Sequence, residues 1–313
     1  MTTQVLLATY NGEKFLEEQL ESILSQGDVD VLIADDGSTD GTVELIRSYS
    51  SMNRVSLEFE SRVGGPVENF RRLLDLVDSP YFAFSDQDDV WLPDRVSKQR
   101  KVLEGGGTVA AFSDLSLIDG NGLLLHPSMF HAAGIDPSRT QPLEVLARNP
   151  MSGNATLFSS AILESARPIP PEVHMHDWWV ALVAATRGRC EFTGGSMVEY
   201  RQHSQNVESA LGRKGNKGWF SVAAGIFLGG GDLLTKRAGF ARHLVDRRLV
   251  SDCTAARLYN LLCAANGDLA SRWREVAWPS AKFGSAFDDL AWRVCAAHPL
   301  SDQLAPVASV AAS

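Results

Sequence analysis

Cysteine is scarce in this chain and shows no pairing pattern. Cys190, Cys253, Cys263 and Cys295 are the four present in 313 residues. They form neither a CxxC pair nor a metal-ligand spacing. In a chain this long they read as buried free thiols of a reducing compartment. No apolar run reaches about 18 residues, so no membrane-spanning helix is expected. The start of the chain has neither a basic n-region nor a cleavage site, so no secretory signal is expected and the setting reads as cytoplasmic. Positive charge is also short: 29 Lys and Arg against 38 Asp and Glu leave a net charge of −9. That balance argues against a general nucleic-acid binder. His126, His131, His174 and His243 lack zinc spacing. The serines, Ser159-Ser160 included, lack a nucleophile elbow, and Gly64-Gly65 forms neither a Walker nor a Rossmann fingerprint.

What remains is ordinary globular composition, 44% hydrophobic and 21% charged, ample for a large core. The length suits one large domain, or one domain with an extension. Charge is uneven along it: residues 1–210 carry a net −14, residues 211–250 a net +6 and residues 251–313 a net −1. No internal repeat or low-complexity tract interrupts the pattern.

Apolar periodicity predicts a strand at Val5 to Thr9, a helix from Phe15 to Leu24 and a strand from Val29 to Ala34. A helix over Thr42 to Tyr49, a strand over Val55 to Glu60, a helix over Glu68 to Leu76 and a strand over Tyr81 to Ser85 follow. This alternation implies a largely parallel sheet covered by helices. Ligands of such sheets bind outside the carboxyl ends of the strands. Polar clusters at 9–13, 35–40 and 86–89 all fall at such ends. Beyond them the pattern predicts a helix from Asp94 to about Leu103, a strand over Val109 to Leu117 and a loop over 126–141. A helix start at Leu143 to Ala147, a strand at Ala155 to Phe158 and a helix opening at His174 come next. From about 211 the segments 219–228, 232–249, 254–265 and 285–296 read as helices.

The most informative cluster is Asp86-Gln87-Asp88-Asp89, placed directly after an apolar, aromatic strand. Carboxylate oxygens suit Mg²⁺ and Mn²⁺, and Mg²⁺ is often held by one or two carboxylates plus substrate phosphates. The cluster therefore points to a metal–diphosphate enzyme. A solvated acidic turn is the plain alternative.

Taken together, Leu7-Ala8-Thr9-Tyr10-Asn11-Gly12, Ala34-Asp35-Asp36-Gly37-Ser38-Thr39-Asp40-Gly41-Thr42, Ser85-Asp86-Gln87-Asp88-Asp89-Val90-Trp91-Leu92-Pro93, His176-Asp177-Trp178-Trp179 and Tyr200-Arg201-Gln202-His203 closely resemble the glycosyltransferase family 2 enzymes of the GT-A fold. The likeness is to the bacterial rhamnosyltransferase-like subgroup and spans roughly residues 4–207. It implies an α/β GT-A fold, with a mostly parallel central sheet sandwiched between helices. The catalytic domain would cover 1–210, with a nucleotide-sugar half over about 1–100 and an acceptor half over about 101–210. A helical C-terminal extension would follow over 211–313.

The resemblance also implies roles. Thr9, Tyr10, Asn11 and Glu13 match the first nucleotide-binding loop, with Tyr10 against the base. Asp36 matches the acceptor for a pyrimidine N3–H, for which an ionised carboxylate is suited; capping of the following helix is the plain alternative for Asp35 and Ser38, and Asp40 reads better as a cap than as a ligand contact. Asp86 and Asp88 match the Asp-x-Asp motif, Asp88 on the metal and Asp86 on metal or ribose. His203 matches a histidine that completes the metal site, and the cofactor would be Mn²⁺ or Mg²⁺. Asp177 matches the catalytic base of inverting members, needed to take the acceptor's proton. His176 stands where many members carry Glu. Asn154 would close over the donor sugar, one of Trp178 and Trp179 would carry the acceptor, and Arg201 would contact phosphate.

The implied reaction moves a sugar from a nucleotide-diphosphate donor, a dTDP- or UDP-sugar such as dTDP-rhamnose, to a saccharide or lipid-linked acceptor of a growing surface glycan. A nucleotidyltransferase, or a non-catalytic sugar-nucleotide-binding protein of the same fold, stands as the alternative. The basic, apolar block at 211–250 reads in two ways. It is either a peripheral contact with the inner face of a membrane or a helical cap packed on the catalytic domain or on a second subunit of a homo-oligomer.

Overall fold

The computed structural model describes residues 2–51, 53–173, 175–203 and 233–251. The chain divides into two compact units, Met1–Ile226 and Phe227–Ser313. The boundary expected at 210/211, most of the basic block, the helices expected at 219–228, 254–265 and 285–296, and three of the four cysteines lie outside the described residues. In the second unit the helix expected at 232–249 runs over Leu233–Asp246, with an Arg242–Asp246 ion pair at 3.5 Å. No helix among the described residues is long and apolar enough to cross a membrane.

The first unit is built on one nine-stranded sheet. Its first half contains β1 (Thr3–Thr9), β2 (Val29–Asp35), β3 (Val55–Glu60) and β4 (Tyr81–Ser85), all parallel, in the order β3-β2-β1-β4. Val5, Leu6 and Leu7 follow one another along β1 and are all fully buried. Successive residues point to opposite faces, so both faces of this strand are covered. The cover comes from α1 (Glu13–Leu24), α2 (Thr42–Ser50) and α3 (Pro66–Leu76). Each of these helices buries one stripe, such as Phe70, Leu73 and Leu74 on α3.

The second half is mixed. A two-residue β5 (Val90–Trp91) leads to α4 (Arg95–Glu104) and the long β6 (Thr108–Asp119). Next come β7 (Leu124–His126), α5 (Met129–Ala133), α6 (Pro142–Ala147), β8 (Thr156–Ser159), α7 (Leu163–Ala166), α8 (His176–Arg187) and β9 (Arg189–Gln202). β8 lies antiparallel between β4 and β6, and β9 runs parallel to β6. β6 and β9 therefore point the same way as β4, so the ends of β1, β2, β4, β6 and β9 share one edge.

Two elements depart from the expected loop at 126–141 and its approach. The Asp119-Gly-Asn-Gly122 turn returns the chain as β7, paired to β6. Ser128 then starts α5, its hydroxyl accepting the His131 N–H at 2.9 Å, and Gly134 ends it at φ +63°. These are ordinary start and stop signals around an element too short to show a period.

The strand order reverses at β1. The chain leaves β1 towards β2 and β3, then returns to β4 on the other side. Ligand crevices of open α/β sheets lie at such a switch point. Here it falls between the loop after β1 and the loop after β4.

Candidate active site

The loop after β1 is stapled to the loop after β2. Thr9 Oγ1 donates to Asp35 Oδ2 at 2.8 Å. The Asn11 N–H donates to Ser38 Oγ at 2.8 Å, and Asn11 Oδ1 accepts the Thr39 N–H at 2.8 Å. Glu13 Oε2 accepts the Gly41 N–H at 3.0 Å at the start of α2. Asp40 accepts the Thr42 N–H, the Thr42 hydroxyl and the Glu13 N–H, and these hydrogen bonds hold its carboxyl below the usual carboxylate range although burial opposes them. Thr9, Asn11 and Glu13, three of the four nucleotide contacts expected in this loop, are therefore engaged in building it. The fourth, Tyr10, is 47% exposed.

Asp36 is largely buried, and its Oδ1 accepts the Val63 N–H at 2.6 Å and the Gly64 N–H at 3.1 Å. Asp35 accepts from Gly37, Ser38 and Thr9 and is fully buried. The pair of acids thus divides its work: Asp35 binds the turn together, and Asp36 ties it to the segment before α3.

The acidic loop after β4 meets the end of β9. Asp88 Oδ2 lies 2.8 Å from His203 Nε2, with both side chains mostly buried. The His203 ring packs on Phe15 of α1 at 4.9 Å between centroids. Asp89 turns inward. Its Oδ2 accepts from Asn154 Nδ2 at 2.6 Å and its Oδ1 from the Arg201 N–H at 3.1 Å. Burial holds its carboxyl well above the usual range, and the charges of Asp88 and Asp86 push the same way. Below it, the Arg95 guanidinium lies fully buried, 3.6 Å over the Trp91 ring. Burial lowers its pKa to about 9, against the pull of Asp89.

Asp177 heads α8. Its Oδ2 accepts the Gly153 N–H at 3.0 Å and its Oδ1 the Trp178 N–H at 2.8 Å. A Cβ on Gly153 would lie 2.7 Å from the Asp177 Cβ, so the contact requires glycine. The 3₁₀ turn Gly153–Ala155 therefore joins Asp177, through Gly153, to Asp89, through Asn154.

Several expected contacts have other tasks. Trp178 and Trp179 are both buried, their indole N–H groups donating to the carbonyls of Val145 at 2.8 Å and Ala166 at 2.9 Å. Neither forms an exposed platform, because α8 is buried continuously from Trp178 to Ala184. Arg201, expected on phosphate, is buried and turned inward. Its Nε donates to the Asp88 carbonyl at 2.9 Å, and one terminal nitrogen pairs with Glu18 at 2.6 Å. Asn154, expected over the donor sugar, is buried, donates to Asp89 and accepts from Ser152 Oγ at 2.7 Å. Sequence reasoning assigned no role to Gln87, Glu18 or Arg95. Only Arg95 left a signal, a cation on the apolar side of its helix.

Among the described residues no group of three or more His, Cys, Asp or Glu surrounds one point. Asp88 and His203, in contact at 2.8 Å, would supply two ligands, with Asp86 two positions away in the same loop. That suits a cation whose remaining positions are filled by phosphate oxygens and water. Imidazole with carboxylate favours Mn²⁺ over Mg²⁺ as a tendency.

A parallel half-sheet with its crevice at the switch point, and a mixed half that brings a carboxylate-headed helix to the same site, define a GT-A glycosyltransferase. The model of "Glycosyl transferase family 2" matches residues 4–163, and the chain belongs to that family. It is 30% identical over 231 residues to the dTDP-rhamnosyl transferase RfbG of Shigella flexneri, covering 65% of this chain and 74% of that protein. Among solved structures it resembles S. aureus TarS 1–349 in complex with UDP-GlcNAc, with a TM-score of 0.58 and 16% identity over 94% of this chain and 79% of that one. It also resembles the mannosyltransferase PcManGT of Pyrobaculum calidifontis in complex with GDP-Man and Mn²⁺, with a TM-score of 0.52 and 18% identity over 94% and 85% of the two chains. At these identities the structural likenesses establish a shared fold.

Proposed function

We propose that this glycosyltransferase is inverting and depends on a divalent metal, and that it uses a dTDP- or UDP-sugar to extend a growing surface glycan or lipid-linked saccharide. The observation that carries the reading is the convergence of Asp88, His203 and Asp177 on one strand-end edge. Asp88 and His203, with Asp86, would hold Mn²⁺ or Mg²⁺. The cation would neutralise charge on the leaving diphosphate, and it would also relieve the crowding of Asp86, Asp88 and Asp89.

Tyr10 offers its exposed ring to the base, and Asp36 accepts the base N3–H through Oδ2. Asp177 takes the proton from the acceptor hydroxyl as it attacks the anomeric carbon. Its hydrogen bonds from Gly153 and Trp178 fix the carboxylate for that task. dTDP-rhamnose is the favoured donor, supported by the likeness to a dTDP-rhamnosyl transferase. The basic block at 211–250 fits a lipid-linked acceptor at an anionic membrane.

The test is a panel of dTDP- and UDP-sugars with saccharide and lipid-linked acceptors. Nucleoside diphosphate release and the anomeric configuration of the product are followed. We expect nucleoside diphosphate, an inverted anomer, and a fall of at least about 100-fold in kcat for Asp177→Asn with donor binding retained. Release of pyrophosphate, retention of configuration, or full activity in Asp177→Asn would refute the reading.

A further inference from the structure

The first loop presents one aromatic ring to solvent. Thr9, Asn11 and Glu13 are engaged with Asp35, Thr39 and Gly41, while the Tyr10 ring is exposed. The direction of that ring depends on the Tyr10 backbone. A single side chain 77 positions away grips that backbone from both sides. Gln87 Oε1 accepts the Tyr10 N–H at 2.8 Å, and Gln87 Nε2 donates to the Tyr10 carbonyl at 3.1 Å.

The carboxamide behaves as a strand partner would, exchanging two hydrogen bonds with one residue. The approach is close. A Cβ on Gly12 would lie 2.3 Å from Gln87 Oε1, so a side chain there would displace the carboxamide from this position. Asn11, between Tyr10 and Gly12, takes a left-handed φ of +48° to complete the turn. Gln87 itself stands between Asp86 and Asp88. The residue that holds the exposed aromatic ring is thus part of the loop proposed to hold the cation.

We infer that Gln87 is a positioning residue: it aims Tyr10 at the nucleobase and couples base recognition to the metal loop. The inference rests on the donor-binding reading proposed above. Binding at Asp86 and Asp88 acts on Tyr10 through Gln87, and a base on Tyr10 acts back on the metal loop by the same free energy. Only an amide of this length serves. Glutamate lacks the donor for the Tyr10 carbonyl, and asparagine is one methylene short.

The test is calorimetric titration of the full chain with UDP, dTDP and inorganic pyrophosphate, each with Mn²⁺. Wild type, Gln87→Met, Tyr10→Ala and the double variant are compared. Methionine keeps the length and removes both hydrogen-bonding functions. We expect Gln87→Met to weaken the preferred nucleotide about tenfold, the scale of one net hydrogen bond, and to leave pyrophosphate unchanged. Tyr10→Ala shows the same selectivity, and the double variant loses no more than Tyr10→Ala alone, because Gln87 acts through Tyr10. Equal losses for nucleotide and pyrophosphate, additive losses, or no loss overturn the inference. Should Gln87→Met not fold, the uncharged Gln87→Asn, one methylene short of the Tyr10 backbone, carries the same comparison. A wild type that binds pyrophosphate with Mn²⁺ but neither nucleotide overturns the donor reading itself, and the inference with it.

Discussion

His176 stands beside the proposed base and has a different chemistry. Its ring stacks on Phe70 at 3.9 Å and meets Phe84 edge-on at 4.7 Å. Burial lowers its pKa to about 4. Arg71 adds to that shift, and Asp177 opposes it. A folded-state pKa below the unfolded value means that folding favours the neutral ring. The contribution is present above about pH 6.5 and is lost as pH falls towards about 4. Thermal unfolding should therefore show a Tm that falls between about pH 7 and pH 5. His176→Gln, which cannot take up the proton, should show a smaller fall. An identical pH dependence in the variant would contradict this. The sequence marked His176 as a departure from the family's usual Glu but left its role open. The aromatic walls that explain it come from α3 and β4, about a hundred residues earlier. Cys190 reads more simply: the thiol is buried and pushed up to about 12, as expected of an inert buried cysteine.

Elements join Asp177 to the acidic loop through short contacts. Arg71 on α3 donates to the carbonyls of Pro170 at 2.7 Å and Pro171 at 3.0 Å, holding the approach to α8. Asp89 and the 3₁₀ turn at Gly153–Ala155 complete the link. Gly153→Ala would drive a Cβ against Asp177 and displace the proposed base. We expect transfer to fall about 100-fold, the effect of misplacing a reacting group by about 1 Å, with donor-nucleotide affinity unchanged by calorimetry. Loss of nucleotide affinity in step with transfer would contradict an effect exerted through Asp177 alone. At this scale the sequence revealed which loops matter, since 9–13, 35–40 and 86–89 end parallel strands. It did not reveal which way side chains face. Trp178 and Trp179 begin a helix that is apolar on every side, so no pattern marks an exposed stripe. Arg201 is turned inward by Glu18, 183 positions away, a partner that local spacing does not encode. β5, β7 and α5 span two, three and five residues, too few for a period to emerge.

Over the whole first unit, function follows from sheet order. The reversal at β1 opens the crevice, and the parallel alignment of β6 and β9 with β4 returns His203 to the edge where Asp88 stands. The family motif covers residues 4–163, whereas His203 and Asp177 lie beyond it, and only the fold places them at the same edge as the acidic loop. The central claim is that Asp88 and His203 hold a cation together with the donor diphosphate. The most direct test is calorimetric titration of dTDP and UDP with Mn²⁺, Mg²⁺ or EDTA, in wild type and Asp88→Ala. The account predicts that one of the two nucleotides binds at least about tenfold tighter with metal, and that the gain disappears in Asp88→Ala. Nucleotide binding that is indifferent to metal, or equally metal-dependent without Asp88, would contradict it.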